Sequence, residues 1–299
     1  MTQVALDHSF GQQLVRGIAI QRRRPLWPGA LMRVRVGDTV AADTVLAEVA
    51  DTDGELRKLM AGMAGTVTQV VEGEYVVIDG VATILDGLVG VGGPVAAPLV
   101  TLQRGDAIAV TPIQPGSIVL FPQSAPLTLL QRAASGGALA IIAASAQAHD
   151  FEAFVRMDVG AMLDGTVPEP RRLPLTILLT EGFGTMPMRQ SVIRVLSQYL
   201  NTVVLACGTT NLRKNVRPEV VLPAPSGARA ELAPAIASYT QGAKVAVMAG
   251  RFRGQEGEIA RVYERPQRVE PGFFVPCAGV RLEDGSTVVM PLHALDRIG

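Results

Sequence analysis

Two stretches carry residue types that can hold a ligand. Leu178–Met188, LLTEGFGTMPM, leaves one apolar run and leads into an amphipathic one. Cys207–Glu219, CGTTNLRKNVRPE, leaves the next apolar run. Short apolar runs read as buried strands, so both stretches leave carboxyl ends of strands, where open α/β sheets gather ligands. Gly182 and Gly184 allow close approach to the backbone, and Thr185 is placed to cap a helix over Met186–Arg189, leaving amide donors for an anion. Thr209 and Thr210 add hydroxyls, and Arg213, Lys214 and Arg217 add positive charge. Glu181 reads either as a general base or as the ion-pair partner of Arg213. The set suits a small anion. The same residues also make a plain turn, with Phe183 as a core plug and the basic residues as a solvated or docking face.

Catalysis needs a nucleophile beside a base, or a metal, and neither pattern is legible. His8, His149 and His293 are scattered, and Cys207 and Cys277 match no ligand spacing. The two thiols read as core residues. No catalytic residue, metal or covalent cofactor is expected.

The elements that must position the two stretches follow from the apolar rhythm. From Gly105 to Pro223, strands (SIVLF, ALAIIAAS, TILLT, TVVLA) alternate with helical stripes (APLTLLQRAAS, HDFEAFV, MRQSVIRVLSQYL). Val192, Val195, Leu196 and Leu200 make the clearest helical face. Continuous apolar strands between helices predict a small α/β domain over residues 103–223. Before it, residues 11–102 hold short strands broken by glycine (LMRVRV, TVLAEVA, GTVTQVV, YVVID), an all-β pattern with turns at Gly37-Asp38 and Asp53-Gly54. Residues 224–240 read as an Ala/Pro-rich linker. Residues 241–299 are β-rich again (KVAVMA, GEIARVY, GVRLED, STVVMPL), with a hairpin turn at Glu283–Ser286. The fold class is multi-domain α+β.

The 299 residues carry 27 basic and 27 acidic side chains, so no global field draws a polyanion. Aromatic residues are only 4%, which leaves the cores to Val, Leu, Ile, Ala and Met. The apolar stretch Val81–Leu102 is cut by Asp86, glycines and prolines, so a membrane span is not expected. MTQVALDHSF lacks the form of a signal peptide, and a cytoplasmic protein is expected.

VRVGDTVAADTVLAEVA and the later MAGTVTQVVEG resemble the biotinyl/lipoyl-like barrel-sandwich hybrid. They are also similar to the N-terminal part of the C subunit of ferredoxin–NAD oxidoreductase complexes. Carriers of the biotinyl/lipoyl type place a modified lysine at the hairpin tip. Here Gly54 holds that position, and Lys58 lies four residues on beside Arg57. The resemblance thus implies the barrel without the swinging arm. QGAKVAVMAGRFRGQEGEIARVY resembles a KOW-type SH3-like barrel, with its loop at Gly250, Arg251, Arg253, Gly254 and Gly257. KOW modules contact RNA or protein. Basic and acidic residues nearly balance over 241–299, and phosphate neutralisation carries most RNA affinity. The whole arrangement resembles an uncharacterised bacterial family. A protein partner or self-assembly is the first expectation, and weak binding to RNA or to the transcription or translation machinery the second. A small-anion-binding protein, or an accessory subunit of an enzyme complex, is the third.

Overall fold

A computed structural model of the chain describes residues 14–50, 54, 56–102, 112–163, 173–211, 216–224, 239–247, 251–252, 254–263, 267–268, 274–275 and 277–297. The fold is mixed α/β and strand-rich, with several sheets. Gln13–Met188 and Val195–Ile236 form one compact unit; a second is built mainly on Ala237–Gly299 and takes in Arg189–Arg194.

The larger unit opens with β1 (Leu14–Pro25), then the short strands β2 (Leu31–Met32) and β3 (Thr39–Val40). The hairpin of β4 (Val45–Ala50) and β5 (Leu56–Met60) follows, then β6 (Gly65–Val71) and β7 (Tyr75–Asp86). The Gly37-Asp38 turn forms as its residue types dictate: Gly37 has φ +96°, and the Asp38 carboxylate accepts from the Arg35 amide at 2.8 Å. β2, β4 and β5 make a three-stranded antiparallel sheet. A bulge between Val45 and Ala47 lets both Leu46 and Ala47 bury. They join Val40, Leu59, Met63, Val67 and Ile78 in one core.

The chain continues through β8 (Val89–Val91), β9 (Val95–Thr101), β10 (Ile118–Ser124), α1 (Leu127–Ser135) and β11 (Ala140–Ser145). Then come α2 (Ala148–Val155), α3 (Val159–Leu163), β12 (Thr176–Leu179), α4 (Gln190–Ser197), β13 (Val203–Cys207) and β14 (Glu219–Pro223). β9, β10, β11 and β12 lie side by side in sequence order, all parallel. Ile141, Ala143, Ile177 and Leu179 pack with Leu129, Leu130, Phe151 and Val155 from the crossover helices. The alternate residues Leu120, Ile142 and Leu178 are buried as well. Burial on both faces is why these strands read as continuous rather than alternating apolar runs.

The main sheet runs β3-β6-β7-β14-β13-β9-β10-β11-β12-β8, with β1 also paired to β7. It therefore crosses residue 102, where the sequence reading places a domain boundary. One apolar cluster joins Leu46 and Met63 from the N-terminal strands to Ala96, Val203, Leu205 and Val221 from β9, β13 and β14. Those four residues come from distant segments, which is why local rhythm alone divides what packing unites.

The smaller unit holds β15 (Lys244–Val247), β16 (Glu256–Val262), β17 (Gln267–Arg268), β18 (Phe274–Val275), β19 (Cys277–Leu282), β20 (Thr287–Pro291) and β21 (Leu295–Arg297). Five of them form an antiparallel sheet in the order β20-β19-β16-β15-β21. Val245, Val247, Ile259, Val280, Leu282 and Leu295 fill its core. The Glu283–Ser286 turn closes with the Leu282 amide on the Ser286 carbonyl at 2.8 Å. No helix among the described residues is long and apolar enough to cross a membrane.

Candidate functional site

The Glu181–Met188 stretch lies across the carboxyl ends of β10 and β11. The Glu181 amide donates to the Ala144 carbonyl at 2.7 Å, and the Gly184 amide to the Ala146 carbonyl at 2.9 Å. The Ser145 hydroxyl donates to the Met186 carbonyl at 2.8 Å, and the Ser124 hydroxyl to the Gly184 carbonyl at 2.9 Å. The polar groups at these strand ends thus fasten the loop. Gly182 and Gly184 take φ +77° and +128°. Phe183 meets Phe151 edge-on, with centroids 5.4 Å apart, which is the core-plug reading of that residue. α4 begins at Gln190, so Thr185 is exposed well ahead of the helix and does not cap it. Glu181 is buried.

Thr209 and Thr210 fasten a different seam. The Thr210 hydroxyl accepts from the Gly90 amide at 2.9 Å and reaches the Gly90 carbonyl at 2.9 Å. The Thr209 hydroxyl reaches the Gly92 carbonyl at 3.4 Å. Both hydroxyls therefore tie the end of β13 to β8. Arg217 is coupled to Asp86. Arg213 and Lys214 lie outside the described residues. In the smaller unit Gly250 and Arg253 lie outside them as well. Arg251 is exposed and lies over the Phe252 ring at 4.6 Å, Gly254 has φ +85°, and Gly257 is already inside β16.

A charge cluster that the sequence reading passes over lies elsewhere in the larger unit. Asp86, Glu219 and Cys207 stand directly opposite one another on the adjacent strands β7, β14 and β13. Directly opposed residues share a face. One step of two residues back, Ile84, Val221 and Leu205 form the same kind of row, and that row belongs to the core. The polar row is therefore the rim of the core. Arg22 reaches it from β1, and Arg24, two residues on, lies on the same face of that strand. Arg22 pairs with Glu219 at 2.7 Å. Arg24 is only 1% exposed, and its Nη2 donates to the Met60 carbonyl at 3.2 Å. Its Nε and Nη1 are buried without a hydrogen-bond partner.

Electrostatics follow from this packing. Burial, and next the Glu219 carboxylate, push the Asp86 carboxyl up to about 6, against the opposing pull of Arg217 and Arg22. Burial lowers the Arg24 guanidinium to about 10, partly offset by Cys207. Cys207 itself is half-buried. The sequence signal for this cluster is the run Arg22-Arg23-Arg24 at the end of β1, which separates into two faces only once β1 is known to be a strand. Among the described residues no group of His, Cys, Asp and Glu is arranged to hold a metal ion. Comparison with family models, with curated proteins and with solved structures finds no match for the chain.

Proposed function

We propose that the chain is a non-catalytic docking scaffold that binds a protein partner or a second copy of itself. In this reading a barrel-sandwich unit of lipoyl type, kept without its swinging arm, leads into the parallel sheet, and a KOW-type SH3-like barrel follows. The observation that carries it is the outer face of the β2-β4-β5 sheet. Leu31 is 65% exposed and Leu56 58%. Leu31 lies opposite Glu48 and Leu56 opposite Ala50, two residues along β4, so all four share one face. Val36, in the turn after β2, is 61% exposed. Single exposed apolar residues are ordinary, but large ones gathered on one small sheet mark an interaction surface. The Arg33–Glu48 ion pair at 2.7 Å lies beside Leu31, because Glu48 stands opposite it on β4.

The hairpin tip supports the loss of the arm. Gly54 has φ +78°, a conformation that a lysine adopts only at a cost. Lys58 sits within β5 opposite Glu48, and Arg57 lies over the Trp27 ring at 4.7 Å. Neither is held out from a turn. The five-stranded antiparallel sheet and the Gly254 turn support the SH3-like reading of the smaller unit.

Affinity purification of the chain from its own cell tests the proposal. The wild type retains a partner or a second copy. The Leu31→Asp/Leu56→Asp double variant releases it at unchanged melting temperature. A strictly monomeric wild type with no partner overturns the proposal.

A further inference from the structure

We propose that β1 is a releasable strand, and that the β7 edge beneath it is a docking site for an extended segment of a partner protein with an apolar residue where β1 has Arg24. Strand pairing makes this possible. β1 spans one edge of β7, from Tyr75 to Leu85. β6 and β14 share the other edge, β6 up to Asp79 and β14 from Ala82. β7 therefore stays anchored when β1 leaves. Among the described residues β1 pairs with β7 alone. A strand held by one ladder opens before strands in the interior of a sheet. This ladder is also irregular between Val15 and Ile18, around Gly17 at φ +60°.

The side chains of β1 oppose its seating. Arg22 and Arg24 stand opposite Ile78 and Val76, both fully buried in the core. Directly opposed residues share a face, so β1 aims two guanidinium groups at an apolar core. Arg22 is matched by Glu219 at 2.7 Å. Arg24 is 1% exposed and has no carboxylate partner among the described residues. Burial lowers its guanidinium only to about 10, so it is charged at neutral pH. One bond, from Nη2 to the Met60 carbonyl at 3.2 Å, anchors it. Its Nε and Nη1, and the Nε of Arg22, are buried with no acceptor. A buried charge without a counter-ion and donors without acceptors weigh against the closed strand, and water relieves both when it opens.

The vacated edge selects its occupant. The main chain of β7 offers donors and acceptors to any extended segment, which is the ordinary mode of strand addition. Side chains then discriminate. Val76 and the Met60 carbonyl lie against the Arg24 position, so leucine seats there better than arginine. The Arg22 position keeps its cation, because Glu219 faces it. The site uses no part of the β2-β4-β5 face, so either can fail without the other.

Hydrogen exchange of the full chain tests the release. At neutral pH the amides of residues 18–24 should exchange about tenfold or more faster than those of β14, which is paired on both edges. Equal rates overturn the releasable strand. Arg24→Leu should slow exchange in β1 by about tenfold. Unchanged or faster exchange at an undiminished melting temperature overturns the role of the buried charge. Labelled peptides test the docking edge. A fluorescein-labelled peptide of residues 14–25 carrying Arg24→Leu should bind the wild-type chain, by anisotropy, about tenfold more tightly than the same peptide with Arg24 kept. Equal binding, or binding by neither, overturns the docking site. Should the Arg24→Leu chain fail to fold, the wild-type exchange and the two peptides decide by themselves.

Discussion

Arg22 and Glu219 meet at 2.7 Å although their strand partners on β7, Ile78 and Asp86, lie far apart along that strand. The eight residues from position 78 to position 86 would span about 26 Å if straight. An arginine and a glutamate cannot bridge that distance, so β7 curls between the two points. The curl falls where its partners change: β6 pairs with β7 up to Asp79, and β14 takes over from Ala82. Gly80 sits in the gap. A Cβ there would overlap the Ala64 carbonyl oxygen, so only glycine lets the two backbones come this close.

Gly80→Ala should therefore cost several kcal/mol, on the order of 3 or more, because the obstacle is backbone that cannot step aside. Gly54→Ala is the control. Nothing lies within 4 Å of its Cβ position, so only its φ of +78° opposes the change. The expected cost there is about 1 kcal/mol. Urea unfolding of the two variants separates them, and equal losses would argue against the curl at Gly80.

The Arg22–Glu219 pair predicts an asymmetry. Arg22→Gln leaves Asp86 and Glu219 facing each other with less positive charge between them. Glu219→Gln removes one of those carboxylates and relieves Asp86. The first should destabilise by about 1–2 kcal/mol and the second by less, since both side chains are about a quarter exposed. A double-mutant cycle measures the coupling.

Asp86 sets a pH dependence. Its carboxyl titrates near 3.8 in the unfolded chain and near 6 in the folded one. Between those values the folded state binds the extra proton, so stability falls as pH rises through this window and stays lower above about 6. Asp86→Asn removes the penalty. It should stabilise the protein at pH 7 by up to about 3 kcal/mol and change it little at pH 4. Thermal melts of both proteins at the two pH values check the sign. A loss of stability at pH 7 would show that the Asp86 charge is needed.

The lipoyl-type hairpin predicts a negative result with a clear readout. Incubation with a lipoyl or biotin ligase and its cofactor should leave the intact mass at that of the chain. Lys58→Arg should leave stability unchanged. A mass gain on Lys58 would restore the swinging arm.

Local chemistry made much of this legible. The strands of the parallel sheet, the helix at Gln190–Ser197, the Gly37-Asp38 turn and the Glu283–Ser286 hairpin are each set by residues close in sequence. What stayed hidden depends on distant pairing. RPEVVLP gives β14, whose place between β7 and β13 is fixed by register with segments far away. The Thr209 and Thr210 hydroxyls suggest ligand chemistry in sequence, yet each is taken by the backbone of Gly92 or Gly90. Glu219 gives no local sign that Arg22 is its partner. Partnering across more than a hundred residues has no local signature.

Hydrogen exchange on the chain alone and in its purified native assembly tests the docking proposal most directly. The account predicts slowed exchange over residues 31–58, centred on Leu31, Ala50 and Leu56, when the assembly forms. Unchanged exchange over that segment, with protection confined to the loop around Arg251 and Gly254, would contradict it and place recognition on the smaller unit.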